Sequence, residues 1–182
     1  MYSAGHAQLD IAKSDVEESM VQKRDKQKTW CLADSGGFQI GKGIINFDWE
    51  NFYEKPGDTN YIGNADAVRS KILNWLEHTA DYALVLDIPS WAADPVNRER
   101  TKMSSYAETL KATLYNNDWF VKHRQGNVKF LNALHGMDWA SATEWYNAVK
   151  HFPFEGWAFG SNNMRNIYLA LRRMIVLRDD KL

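Results

Sequence analysis

Two carboxylates, Asp34 and Asp87, each close a short apolar run and are each followed at once by turn-forming residues. The first lies in Trp30-Cys31-Leu32-Ala33-Asp34-Ser35-Gly36-Gly37-Phe38-Gln39-Ile40 and the second in Tyr82-Ala83-Leu84-Val85-Leu86-Asp87-Ile88-Pro89. A buried strand ending in an acid delivers that acid to the C-terminal edge of a sheet, where parallel α/β folds bind their ligands. Two carboxylates at one edge can divide acid and base work when their surroundings push their pKa values apart. They can also accept hydrogen bonds from a planar base such as guanine, whose N1–H and exocyclic amine suit a carboxylate. Gly36 and Gly37 let the backbone turn sharply, or approach a ligand where a Cβ would clash. Phe38 offers a flat face for stacking and Gln39 an amide. His135-Gly136 and Gly160-Ser161 follow later apolar runs in the same manner and bring further groups to that edge. Each residue also has a plain structural use. Asp34 and Asp87 suit turns or caps, His135 a hydrogen-bonded core position, Phe38 packing, and Ser161-Asn162 a helix cap. Their shared placement, more than any one of them, points to chemistry.

The elements that must position these groups can be read in order. Met1–Leu9 is small and polar, with a Gly-His pair suited to a loop end, and Asp10–Lys28 reads as a weak surface helix or a mobile segment. Trp30–Ala33 reads as a buried strand. Gly41–Gly63 is turn-rich, and so long an excursion suggests an active-site insertion, with Ile44-Ile45-Asn46-Phe47 as one strand of a small hairpin. Val68, Ile72, Trp75 and Leu76 recur at helical spacing within Asn64–Ala80. Tyr82–Leu86 is the continuous apolar run of a buried parallel strand. A long helix is expected within Pro95–Arg124, with Met103, Tyr106, Leu110 and Leu114 facing inward and Asn116-Asn117 breaking or capping it. Val128–Leu134 is the next strand, Ala140–His151 a helix stopped by Pro153, and Gly156–Phe159 a strand. Met164–Arg178 is a helix carrying Ile167, Leu171, Met174 and Ile175 on one side.

This alternation predicts right-handed crossovers and an α/β fold with a parallel sheet. Four units are too few to close an eight-stranded barrel. The expected architecture is therefore an incomplete TIM-type (β/α)8 barrel over residues 30–182, preceded by a weakly ordered or helical segment over 1–29. Its open edges would be covered by the N-terminal segment, by another chain, or not at all.

Composition narrows the class. The chain has 182 residues, 45% hydrophobic and 25% charged, as in a globular protein with a sizeable core. The net charge of −1 advertises no nucleic-acid partner, so a basic footprint must be local. Lys23, Arg24, Lys26 and Lys28, and the later Arg165, Arg172 and Arg173, are the candidates, with solvated helix faces as the alternative. The single cysteine, Cys31, cannot form an internal disulfide and fits a reducing compartment, so the cytoplasm is the expected location. A thiolate zinc cluster built by this chain alone is excluded, and no metal ligand set is assigned. No run of about 18 apolar residues marks a membrane span, and no membrane partner is expected.

The stretch Asp34-Ser35-Gly36-Gly37-Phe38-Gln39 resembles the signature of the tRNA-guanine transglycosylase family, which exchanges guanine for a 7-deazaguanine base and includes relatives acting on DNA. Three later segments are similar in the same order: Leu84-Val85-Leu86-Asp87, Leu134-His135-Gly136 and Gly156-Trp157-Ala158-Phe159-Gly160-Ser161. The resemblance spans about Trp30 to Asn163, only part of a full-length member. It implies a catalytic-site role for Asp34 near the reacting ribose, with Ser35 and Gly36 in the base pocket. It also implies stacking by Phe38 and recognition of the guanine edge by Asp87. His135 stands where the family has glutamine, beside Gly136, and Ser161 stands where it has a second glycine after Gly160. The family nucleophile, an aspartate that attacks C1′ to give a covalent sugar intermediate, and the family zinc site would both lie beyond Leu182. The implied function is a transglycosylase-like protein with the base-pocket half present. The implied partners are guanine or a 7-deazaguanine, tRNA or DNA, and a second chain supplying nucleophile and zinc site. Two other readings are carried. One is a catalytically inactive base- or nucleic-acid-binding fragment. The other is an unrelated barrel-type glycoside hydrolase using Asp34 and Asp87 as its acid/base pair.

Overall fold

Five short parallel strands cross one sheet in chain order: β1 (Tyr2–Ser3), β2 (Leu32–Asp34), β3 (Tyr82–Leu84), β4 (Lys129–Leu134) and β5 (Gly156–Phe159). The computed structural model describes residues 2–4, 21, 23–45, 47–53, 64–160 and 166–180. Helices α1 (Gly37–Gly41) and α2 (Asn64–Thr79) follow β2. A 3₁₀ turn over Ser90–Ala93, then α3 (Arg98–Thr101) and α4 (Tyr106–His123), follow β3. Helix α5 (Trp139–Val149) follows β4, and α6 (Ile167–Asp179) follows β5. The fold is thus α/β with a parallel sheet.

Ala33, Ala83 and Phe130 stand side by side across β2, β3 and β4, all fully buried. Ile72, Trp75 and Leu76 of α2 and Phe120 of α4 complete this main core. Burial of a side chain such as Phe120 or Ile72 stabilises by about 1.5–3 kcal/mol relative to exposure. A second cluster joins Leu134 to Trp145 and Val149 of α5 and Leu177 of α6. The buried Arg69 side chain clamps the 47–53 loop: it donates to Asp66 Oδ1 at 2.6 Å, Asn116 Oδ1 at 2.8 Å and the Phe52 carbonyl at 2.7 Å. Caps mark the helix starts that matter here. Ser105 accepts the Glu108 N–H at α4, and Asp138 and Ser141 cap α5 reciprocally.

Several expectations are corrected. Residues 2 and 3, in the small, polar stretch that carries no expected strand, form an edge strand paired with Ala33 and Asp34. The strand before the first acid is Leu32–Asp34, and Trp30 is 73% exposed rather than buried. Ile44, Ile45 and Phe47 form no strand, because Ile44 and Ile45 N–H groups both turn back to the Gln39 carbonyl. Asn116 and Asn117 neither break nor cap α4. They lie buried within it, Asn116 accepting from Arg69 and Asn117 donating to Asn132 Oδ1 at 3.2 Å. The long helix begins only at Tyr106, and Met103 is buried in the loop before it. In α6, Ile167, Leu171, Met174 and Ile175 do share a side, but it is the exposed one; Leu169, Ala170, Arg173 and Leu177 face inward. The rest of the Gly41–Gly63 insertion at residues 54–63, and most of the expected helix before Lys28, lie outside the described residues.

Candidate active site

The chemistry-bearing residues lie where the parallel strands end. Asp34 closes β2, and the chain then turns through Gly36, whose φ of 91° is the left-handed conformation that glycine adopts without strain. Asp34 Oδ2 accepts from Ser3 Oγ at 2.9 Å, and the Ala4 N–H donates to the Asp34 carbonyl at 2.8 Å. The edge strand β1 therefore holds the first acid. Ser3 Oγ also lies 3.3 Å from Gln39 Oε1, so the amide of the same stretch turns back toward the acid. Buried Ser35 donates to the Val85 carbonyl at 3.2 Å, tying the turn after β2 to the segment after β3.

Gly37 brings the two acids' segments into contact. A Cβ built there would stand 2.6 Å from the Asp87 carbonyl oxygen and 2.9 Å from Asp87 Oδ1. Only glycine lets α1 begin this close to the second carboxylate. Asp87 is positioned from behind as well, since the next N–H, of Ile88, donates to Thr113 Oγ1 of α4 at 2.9 Å.

Asp87 Oδ2 lies 2.6 Å from His135 Nε2, and both residues are buried. With the carboxylate ionised, His135 carries its proton on Nε2, and the pair forms a charge-assisted hydrogen bond. Gly160 makes room for the ring: a Cβ there would come within 2.5 Å of His135 Nδ1 and Cε1. Trp145 meets the imidazole edge to face at a centroid distance of 4.7 Å, and Arg173 Nη2 donates to the His135 carbonyl. Gly136 packs against the start of α5, where a Cβ would lie 2.5 Å from Ala142 Cα.

Phe38 is 54% exposed and meets Trp91 edge to face at 5.4 Å. Lys42 Nζ stands 5.2 Å from the Trp91 ring and 6.0 Å from that of Phe38. An exposed ring beside a partly buried one, with a cation near both, suits a flat or anionic ligand.

The structure therefore gathers Ser35, Gly37, Asp87, His135 and Gly160 into one contact chain, with Asp34 at the end of β2, Gly36 in the turn after it and Phe38 in α1. Ser161 lies outside the described residues. Sequence reasoning missed Ser3, Thr113, Trp91, Trp145 and Arg173 as supports. A signal existed for Arg173, a charge on the inward side of α6 between Ala170 and Leu177. Of the other basic candidates, Arg24 pairs with Asp81 at 2.6 Å, Lys28 with Asp25 at 3.1 Å, and Arg172 lies 3.8 Å over the Trp139 ring, while Lys23 and Lys26 are exposed. Arg165 lies outside the described residues. Among the described residues no three His, Cys, Asp or Glu side chains come together to hold a metal ion. No described helix is long and apolar enough to cross a membrane.

Compared with protein-family models, with curated proteins and with solved structures, the chain gives no match.

Proposed function

We propose that this chain is a transglycosylase-like protein of the tRNA-guanine transglycosylase type, holding the base pocket for exchange of guanine against a 7-deazaguanine in tRNA or DNA. The observation that carries this reading is the seat of the Ser35–Phe38 turn on Asp87, with Gly37 against the carboxylate and the Phe38 ring exposed beside it. In this reading Phe38 stacks on the base and Asp87 accepts from its N1–H and amine. Asp34 lies toward the ribose, and His135 orients the Asp87 carboxylate through their 2.6 Å contact. Ser35, Gly36, Gly136, Gly160 and Ser161 shape the pocket. The units belong to a TIM-type barrel, and a second chain is a proposed partner. Support for such a partner comes from α6, which exposes Ile167, Leu171, Met174 and Ile175 next to β5, the last strand of the sheet.

The test is calorimetric titration with guanine and with a 7-deazaguanine, comparing wild type with Asp87→Ala. Saturable binding lost in the variant supports the reading; no binding by wild type defeats it. A second reading, a catalytically inactive base-binding fragment, is favoured by the closed Asp87–His135 pair. Incorporation of labelled guanine into tRNA or DNA by the chain alone would rule that second reading out.

A further inference from the structure

A cavity of about 150 Å³ lies between α5 and α6, behind the candidate site, which it adjoins through Arg173. That is the size of an engineered apolar cavity that admits benzene. Leu134, Trp139, Val176 and Leu177 supply apolar wall, and the charged groups on it are Arg173, Lys150 and Asp180. Asp180 is engaged: its Oδ2 accepts from the Tyr146 hydroxyl and lies 3.8 Å from Lys150 Nζ. Arg173 is different. The residue is 4% exposed, and its Nε and Nη1 are buried with no acceptor among the described residues. Its described acceptor, the His135 carbonyl, is neutral. Burial lowers its pKa to about 10, which still leaves it charged at neutral pH.

A guanidinium taken out of water is costly unless an anion faces it, and its planar fork matches a carboxylate or a phosphate. Lys150 adds a second positive charge, while Asp180 opposes a multiply charged ligand. We propose that this cavity binds a small ring-bearing monocarboxylate, its carboxylate on Arg173 and its ring against Leu134, Trp139 and Val176.

The experiment is calorimetry on the full chain with benzoate and its neutral isostere benzamide, for wild type, Arg173→Met and Thr143→Leu. Thr143 lines the cavity, so leucine there fills space without touching the charge. The expected result is saturable one-to-one benzoate binding, with benzamide at least tenfold weaker and each variant at least tenfold weaker for benzoate. Absence of saturable benzoate binding overturns the proposal, as does equal affinity for the two ligands or unchanged binding in Arg173→Met. Should Arg173→Met fail to fold, Thr143→Leu decides: lost binding supports the site, and retained binding overturns it.

Discussion

At the scale of single residues, His135 is gripped by Asp87 at one nitrogen, by the absent side chain of Gly160 along the ring, and by the Trp145 face. An added methyl at residue 160 must displace the ring or the end of β5. Gly160→Ala is therefore expected to destabilise by about 1–3 kcal/mol, the usual cost of overpacking. In a His135→Ala background the same substitution should cost far less, because the obstructing ring is gone. Urea unfolding of the four proteins in the cycle measures this; equal costs in both backgrounds would show that the contact is unimportant. The sequence marked Gly160, His135 and Asp87 as candidates but could not pair them. Residues 48 apart meet only through the register of β3 with β4. Gly36 and Phe38 were legible for a local reason: a sharp turn after a strand needs glycine, and an aromatic that follows it has little core to enter. The need for glycine at 37 comes from distant Asp87 and shows only in the fold.

Elements are fixed at their ends by groups that a periodicity reading overlooks. Asp81, just before β3, accepts from the Cys31 N–H at 2.7 Å and from Arg24 Nη2 at 2.6 Å, joining the approach to β2 to the approach to β3. Partial burial pushes the Asp81 carboxyl up, but the Cys31 N–H and the Arg24 guanidinium outweigh it and hold it below the ordinary carboxylate range. A depressed folded-state pKa gives stability that is present above the unfolded value, near about 4, and lost as pH falls through the folded value. Asp81→Asn is thus expected to be less stable than wild type at pH 7. The gap should narrow when denaturation is repeated near pH 3, and a constant gap at both would contradict the ionic account. Helices α2 and α4 were legible from apolar spacing, and α5 from the proline that stops it. The buried asparagines of α4 were not, because Asn116 and Asn117 look like breakers until Arg69 and Asn132 are seen to satisfy them.

Across the whole molecule, alternation of strand and helix was enough to give a parallel α/β sheet, since crossovers between parallel strands leave few alternatives. Two things stayed hidden. A two-residue strand such as Tyr2–Ser3 carries no pattern, and an apolar helix stripe looks the same whether it faces the core or solvent. The outward stripe of α6 makes its own prediction. Leu171→Lys with Ile175→Lys should change unfolding free energy by no more than about 0.5 kcal/mol per site, as at ordinary surface positions, while reducing concentration-dependent light scattering. A large loss of stability would mean that the stripe packs within the chain.

The proposed function rests on the turn after β2 and the acid after β3 facing one flat ligand. The most direct measurement is a titration of isotope-labelled protein with 7-deazaguanine, followed through backbone amide NMR shifts. The expected result is that Gly36, Gly37, Phe38 and Asp87 shift together with one saturation curve, and that Asp87→Ala abolishes the whole set. Shifts confined to other parts of the sheet, or none at saturating ligand, would contradict the account.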